Sequence, residues 1–445
     1  MNIGIVGGGC SGALVVVHLL KHPGPLSVRL IEPRTELARG LAYSTDCPNH
    51  LLNVPAGNMS ALPACPSNFS EWLKTNGYPD AGPDFFASRQ IYGKYLGHLL
   101  RSAAKSKPES FVRHSTEAVD IDCASGPAVR LTLGDGTWLD VDCAILATGN
   151  PPPARLAVSG LNPGQDGYYH SAWEAGALDC PQADTPVLLI GSGLTAVDAI
   201  VALRSRGHRG IVYMVSRHGQ IPHAHTQYRL GYQQPPAPLG LSLRAMVRAV
   251  RAAAGPAADW RTVVDALRPV SNQVWSGFTI AERRRFLRHL KAYWDVHRHR
   301  MAPQFGTLLR GAQESGEVQR IAGRLRRAGA RGECLMVDVA LRGGGERTVA
   351  VGRVINCTGP DGDYRRLDNP IVKALFRRGL ASPGPLGTGL RTDEHGALVD
   401  AEGRASTRLF TIGPPRTGEL FESIAVPEIR EQAEALAAHA AAICN

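Results

Sequence analysis

Met1-Asn2-Ile3-Gly4-Ile5-Val6-Gly7-Gly8-Gly9-Cys10-Ser11-Gly12 opens the chain and decides its fold. Ile3 to Val6 is a short apolar run that stops at a cluster of glycines. Ala13 to Leu20 is apolar and long enough for a helix, and a second apolar run, Ser27 to Ile31, ends at Glu32. Strand, glycine turn, helix, strand and acid in this order make the dinucleotide fingerprint G-x-G-x-x-G, with a carboxylate about 20 residues on. Gly7 permits the tight turn, Gly9 lets a pyrophosphate approach the backbone, and Gly12 lets helix and strand pack closely. The helix start at Cys10 and Ser11 offers unpaired N–H groups and a positive dipole end to phosphates. Glu32 is placed to accept hydrogen bonds from a ribose 2′-hydroxyl.

A second strand–turn–helix begins at Pro186. Val187 to Ile190 enters Gly191-Ser192-Gly193-Leu194-Thr195-Ala196, a G-x-G-x-x-A turn, and Val197 to Leu203 reads as its helix. Gly191, Gly193, Leu194 and Thr195 are therefore expected to face a second dinucleotide. The next strand, Gly210 to Val215, ends in Ser216-Arg217-His218 rather than in an acid. A hydroxyl and a cation at this point favour the 2′-phosphate of NADP over NAD; the alternative is a surface arginine after a strand. Two further strands leave through a glycine, at Ala147-Thr148-Gly149 and at Cys357-Thr358-Gly359. An apolar strand ending this way is the usual exit from a flavin-binding half, where the glycine lets the chain pass close to the cofactor. Late in the chain, Leu409 to Ile412 enters Gly413-Pro414-Pro415. Pro427 then sits in the first turn of an alanine-rich final helix, a favoured place for proline. That helix start is suited to stabilise negative charge on a reduced flavin ring.

Between these landmarks, His50 to Leu73 is dense in loop residues yet apolar enough to be packed, and Tyr92 to Ala104 has helical spacing. Strands run from Phe111 to Val141 around the turn Leu133-Gly134-Asp135-Gly136-Thr137. From Gln220 to about Val318 the pattern changes to three to five helices with arginines on their polar sides. Strands resume at Ile321 to Leu325, Cys334 to Leu341 and Arg347 to Val351. The pairs His223/His225 and His297/His299 have no carboxylate or cysteine at ligand spacing, so no metal site is expected.

The chain's 445 residues suit two or three domains. With 44% hydrophobic and 20% charged residues the composition is that of a soluble globular protein. No apolar run approaches the roughly 18 residues of a membrane span. The opening strand leaves no place for a leader, so a cytoplasmic location is expected. The net charge of +10 is mainly arginine spread along the chain, without a nucleic-acid module around its densest stretches. None of the nine cysteines forms a C-x-x-C pair, so reduced thiols are expected. Cys47 and Cys65 are too far apart in sequence to be the redox pair of a disulfide reductase, and Cys444 stands alone near the end.

Two glycine fingerprints, two T-G exits and the late closing segment together resemble the two-dinucleotide-binding-domain flavoprotein superfamily. In detail they resemble its FAD/NAD(P)-binding bacterial members related to flavin-containing and N-hydroxylating monooxygenases. Gly167 and His170-Ser171-Ala172-Trp173 match the histidine-bearing linker of those enzymes, without its leading phenylalanine. Asp198 matches the aspartate after their second turn. Asn53 to Met59, followed by Pro66-Ser67-Asn68-Phe69, resembles their flavin-facing loop.

The resemblance implies an α/β fold of two Rossmann-like (three-layer ββα) dinucleotide-binding domains with a helical insertion. Residues 1–155 with 355–445 would bind FAD, residues 156–220 with 319–354 would bind NADPH, and 221–318 would be the insertion. It also implies a FAD-dependent, NADPH-consuming monooxygenase that N-hydroxylates a small amine or amino acid through a C4a-hydroperoxyflavin. Its partners would be that small molecule and O2, with no nucleic acid and no membrane; self-association stays open. Asn53 and Asn58 are the candidate catalytic donors, and the same residues serve equally as caps of their own loop. Arg298 and Arg300 suggest an acidic substrate such as a dicarboxylic amino acid. The competing readings are an NADPH-dependent flavin reductase or dehydrogenase without oxygen transfer, and a nucleotide sensor without catalysis.

Overall fold

The structure, a computed structural model, describes residues 1–123, 126–180, 182–226, 234–255 and 259–443. Cys444 lies outside the described residues. The chain begins with β1 (Asn2–Val6), α1 (Cys10–Lys21) and β2 (Ser27–Ile31), as the opening stretch dictates. Then come α2 (Gly40–Tyr43), α3 (Asn68–Thr75) and α4 (Arg89–Ser106), followed by β3 (Phe111–His114). A separate three-stranded antiparallel sheet is made of β4 (Ala118–Asp122), β5 (Val129–Leu133) and β6 (Trp138–Val141), with the expected turn between the last two. β7 (Cys143–Leu146) returns beside β1.

The second unit holds β8 (Tyr168–Tyr169), β9 (Val187–Ile190), α5 (Leu194–Ser205) and β10 (Val212–Ser216). Six helices follow among the described residues: α6 (Leu243–Ala253), α7 (Trp260–Leu267), α8 (Ser271–Gly277), α9 (Ile280–His289), α10 (Lys291–Arg298) and α11 (Pro303–Glu314). This exceeds the three to five expected. Ala281 to His297 reads as one helix, but the chain breaks at Leu290 (φ −114°, ψ −26°), where no glycine or proline marks the corner. The arginines of this region are not all on polar faces either. Arg283 is buried, with its guanidinium donating to the carbonyls of Trp275, Ser276 and Phe278, and so it satisfies the end of α8.

β11 (Val318–Arg331), β12 (Cys334–Leu341), β13 (Glu346–Val351) and β14 (Arg353–Asn356) complete the second unit. The chain then crosses back through α12 (Pro370–Arg377), β15 (Ala397–Val399), β16 (Ala405–Thr411) and α13 (Val426–Ile443).

The first sheet has the order β15-β16-β7-β1-β2-β3, parallel except for β15. Its strands are buried on both faces, which is why β1 and β7 read as continuous apolar runs. α1, α4 and α13 cover one face, and α12 with the β4–β6 sheet lies over the other. The second sheet has the order β13-β12-β11-β10-β9-β14-β8. β11 is long enough to pair in parallel with β10 and then turn into an antiparallel meander with β12 and β13. The meander is the second unit's counterpart of the β4–β6 layer. Ile355 and Asn356 pair with Leu189 and Ile190, so this sheet runs two residues past the expected boundary at 354. No helix among the described residues is long and apolar enough to cross a membrane.

Candidate functional site

The first glycine turn is built as a cradle. Gly7 has φ +103°, and a Cβ on it would strike the Ala147 carbonyl; a Cβ on Gly12 would strike the Gly7 carbonyl oxygen. Gly9 caps α1 without a side chain, leaving the N–H groups at Cys10 and Ser11 free of a capping oxygen. Burial pushes the Cys10 thiol up to about 12, so it is an inert part of the turn. Glu32 is buried, and its carboxylate accepts from the Gly8 N–H at 2.8 Å and the Arg34 N–H at 3.0 Å. Two carboxylate oxygens retain capacity for ribose hydroxyls beyond those bonds. Gly149 has φ +71° and nothing near the Cβ position, so the exit after Thr148 borders open space. Gly413 comes against Ser11, where its missing Cβ would be 2.9 Å from the hydroxyl oxygen. Gly7, Ser11, Gly12, Gly149 and Gly413 are thus gathered at the carboxyl ends of β1, β7 and β16. In an open parallel sheet this is where ligands bind.

The second turn repeats the construction. Gly191 has φ +114°, and its Cβ would be 2.6 Å from the Cys357 carbonyl oxygen. Gly193 caps α5 ahead of Leu194 and Thr195, with nothing near its Cβ position. Gly359 has φ +86° and is as open as Gly149. The Ser216 hydroxyl is 2.7 Å from that of Ser192 and accepts from the Gly219 N–H at 3.1 Å, which ties the strand end to the turn. Arg217 is exposed. Burial and the positive charges of Arg342, Arg217 and Arg324 hold the His218 imidazole below its ordinary value. Arg324 and Arg342 come from β11 and the β12–β13 turn, and only the meander brings them beside Arg217. A G-x-G-x-x-A search has no view of them.

Several side-chain contacts clasp the units together, among them Arg206 with Asp46 at 2.7 Å and the Asn49 amide donating to the Ser205 hydroxyl at 2.9 Å. Asp198, buried on α5, pairs with Arg89 of α4 at 2.6 Å, and its carbonyl accepts from His50 Nε2 at 2.9 Å. Burial raises the Asp198 carboxyl, against the opposing charges of Arg89 and His50. The two crossings between units also run against each other, with the Asp361 N–H donating to the Pro152 carbonyl at 2.9 Å. His170 begins the turn after β8, and its N–H donates to Glu174.

The loop after His50 is packed, as its apolar content requires. The Tyr92 hydroxyl donates to the Met59 carbonyl, the Ala61 N–H donates to the Tyr95 hydroxyl, and Phe69 is fully buried between those two rings. This anchoring presents Asn53 and Asn58 to a polar cavity of about 280 Å³. Pro427 and Glu428 at the start of α13 form another wall, and Asp265, Arg268, Arg298 and Arg300 come from the insertion. The structure therefore brings Asn53, Asn58 and Pro427 together with the two arginines singled out by composition alone. Both arginines are buried and paired: Arg298 with Glu422 at 2.9 Å and Arg300 with Asp265. Nη2 of Arg298 and Nε of Arg300 are buried without a hydrogen-bond partner among the described residues. Glu422, which the sequence did not single out, lies 124 residues from Arg298.

His225 belongs to this cavity and donates from Nε2 to the Asn53 carbonyl at 3.0 Å. Burial and the charge of Arg300 push it down to about 4. Burial and Arg298 push His299 down to about 3. Both imidazoles are neutral when folded and titrate near 6.5 when unfolded. The unfolded chain therefore takes up protons first at these two sites, so their contribution to stability is full above pH 6.5 and is lost as pH drops towards 4. The unfolding midpoint is expected to fall across this window, and His225→Asn with His299→Asn is expected to flatten the profile. The His223 and His297 rings meet at 4.6 Å, tilted by 52°, and no group of metal-holding side chains occurs among the described residues.

Among the described residues no disulfide joins the cysteines; Cys47 is buried and Cys65 exposed. No curated protein sequence matches the chain. Residues 4–151 match the FAD-NAD(P)-binding family. Among solved structures, L-lysine 6-monooxygenase from Pseudomonas syringae is 17% identical, with TM-score 0.68 over 100% of this chain and 99% of that one. Ornithine N-hydroxylase from Kutzneria sp. 744 is 13% identical, with TM-score 0.66 and the same coverage. Thioredoxin reductase from Lactococcus lactis is 12% identical, with TM-score 0.55 over 99% of this chain and 98% of that one. The chain thus has the α/β fold of these solved structures, and its residues 4–151 are an FAD-NAD(P)-binding domain.

Proposed function

We propose that the protein is a FAD-dependent, NADPH-consuming monooxygenase that hydroxylates the nitrogen of a small acidic amine or amino acid. The observation that carries this reading is the polar cavity where Asn53, Asn58 and the start of α13 meet the buried arginines Arg298 and Arg300. Both glycine cradles would be filled by any added Cβ or border open space, which fits two dinucleotides. FAD, when bound, supplies the acceptance of hydride from NADPH and the delivery of electrons to O2.

The chain's own residues do the rest. Gly7, Gly9, Cys10, Ser11 and Gly12 hold the flavin pyrophosphate on backbone N–H groups, and Glu32 takes the adenosine ribose. Gly191, Gly193, Leu194 and Thr195 hold the nicotinamide dinucleotide, and Ser216 with Arg217, Arg324 and Arg342 takes its 2′-phosphate. The start of α13 at Pro427 puts a positive dipole end against the cavity. Asn53 and Asn58 supply amide donors there, while neutral His225 fixes the Asn53 backbone. The unsatisfied N–H groups of Arg298 and Arg300 hold a substrate carboxylate and so orient its amine. Lysine and ornithine hydroxylases with the same fold support oxygen transfer to an amine.

Arg217→Ala is expected to raise KM for NADPH about 10- to 100-fold and to leave KM for NADH nearly unchanged, the scale of one charge-assisted hydrogen bond. Steady-state rates with the two nucleotides check this. Hydroxylation itself is tested by measuring NADPH and O2 consumption with dicarboxylic amino acids and their amines. Product should account for the electrons with at least one of them. If hydrogen peroxide accounts for all electrons with every amine tried, oxygen transfer is wrong.

A further inference from the structure

The insertion contains a second cavity, of about 670 Å³, that the proposed reaction does not use. Its interior is apolar and aromatic: Met246, Val250, Trp275, Phe286 and Trp294 face it, and Phe421 reaches in from the segment before α13. It shares no lining residue with the polar cavity. α7 divides them, with Val264 and Leu267 on the apolar side and Asp265 on the polar side. The volume lies within the range of small-molecule sites.

One further observation specifies the occupant, the charge beside the aromatic interior. The exposed Arg251 and His289 line the cavity, and α9 also carries exposed Arg284, Arg285 and Arg288, with Glu282 beside Arg285. An apolar interior under a cationic rim fits an amphiphilic anion.

We infer that this cavity binds an organic carboxylate with a medium-length alkyl or aryl chain. The chain lies among the tryptophans and the carboxylate is at the Arg251 rim. The site is separate from the polar cavity and stands whether or not oxygen transfer does.

Three of the chain's six tryptophans, Trp260, Trp275 and Trp294, line the cavity, so intrinsic fluorescence reads its occupancy. The full-length protein is titrated with decanoate and, as a charge control, with decyltrimethylammonium. Decanoate is expected to give a saturable change and the cation none. Arg251→Glu is expected to weaken decanoate at least tenfold, and Val250→Phe to do so by filling the space. Arg251 is exposed, so its variant keeps the test decisive if Val250→Phe fails to fold. NADPH bleaching of the flavin should be unchanged in Arg251→Glu. No saturable response, an equal response to the cation, or undiminished binding by Arg251→Glu would each overturn the proposal. So would light scattering showing the cavity covered by a second copy of the chain.

Discussion

Gly12→Ala is expected to yield a protein that does not hold FAD. The added Cβ would overlap the carbonyl oxygen of Gly7, which is backbone and cannot rotate away. Relief requires α1 to lift off β1. α1 is buried along most of its length, between α4 and α13, so lifting it disturbs the first unit's core. Overpacking a core by one methyl costs about 1–3 kcal/mol, and a clash against backbone lies at or above the top of that range. The measurements are the flavin absorbance of purified protein and its unfolding midpoint; both should drop. Gly149→Ala is the control. Its φ of +71° makes a side chain costly by about 1–2 kcal/mol, but nothing in the protein meets the new methyl. That variant should fold with a modest loss of stability and bind FAD more weakly. Equal FAD content in wild type and Gly12→Ala would mean that the flavin lies elsewhere.

Breaking the Arg298–Glu422 pair should be nearly as damaging, for a different reason. Both side chains are over 90% buried, and the next carboxylate, Glu428, is 3.8 Å from Arg298 and shared with Arg268. Burial raises the Glu422 carboxyl and Glu428 raises it further, while Arg298 and Arg268 oppose both. Arg298→Met alone leaves that carboxyl without its nearest cation, a change that typically costs about 3–5 kcal/mol. Glu422→Leu alone strands the guanidinium at similar cost. The double variant leaves neither charge stranded and should recover most of the loss, since a buried pair is often no more stable than an apolar replacement. Chemical denaturation of the four proteins gives the coupling energy. The recovered double variant should still show a raised KM for an acidic amine, which separates binding from folding.

Much of the geometry of the glycine turns was legible because it depends on short stretches. Gly7 to Gly12, Gly191 to Thr195 and the two T-G exits each need particular backbone at fixed offsets, and local sequence records such needs. The polar cavity was legible only in pieces. Asn53, Asn58 and Pro427 each carried a local signal, but their meeting depends on α13 crossing back after the whole second unit. Arg298 and Arg300 stood out by composition, whereas their buried state follows from Glu422 and Asp265, which no local pattern ties to them. The Arg324 and Arg342 rim depends on the bend in β11, where one strand serves two kinds of pairing. The helix count was missed at Leu290 because a corner made by ordinary residues leaves no trace in composition.

The clasp at Asp198 bears on how reducing equivalents travel. Swinging the second unit away from the first would take Arg89 and the His50 ring from a carboxyl-bearing residue only 3% exposed. Each such excursion would break both contacts as Asp198 becomes exposed to water, so it would cost those interactions. A reaction of the proposed kind would then be served by small molecules entering and leaving joined units. On the proposed reading, a nicotinamide dinucleotide would enter a standing slot while Arg89 and His50 hold Asp198 and keep the two units together.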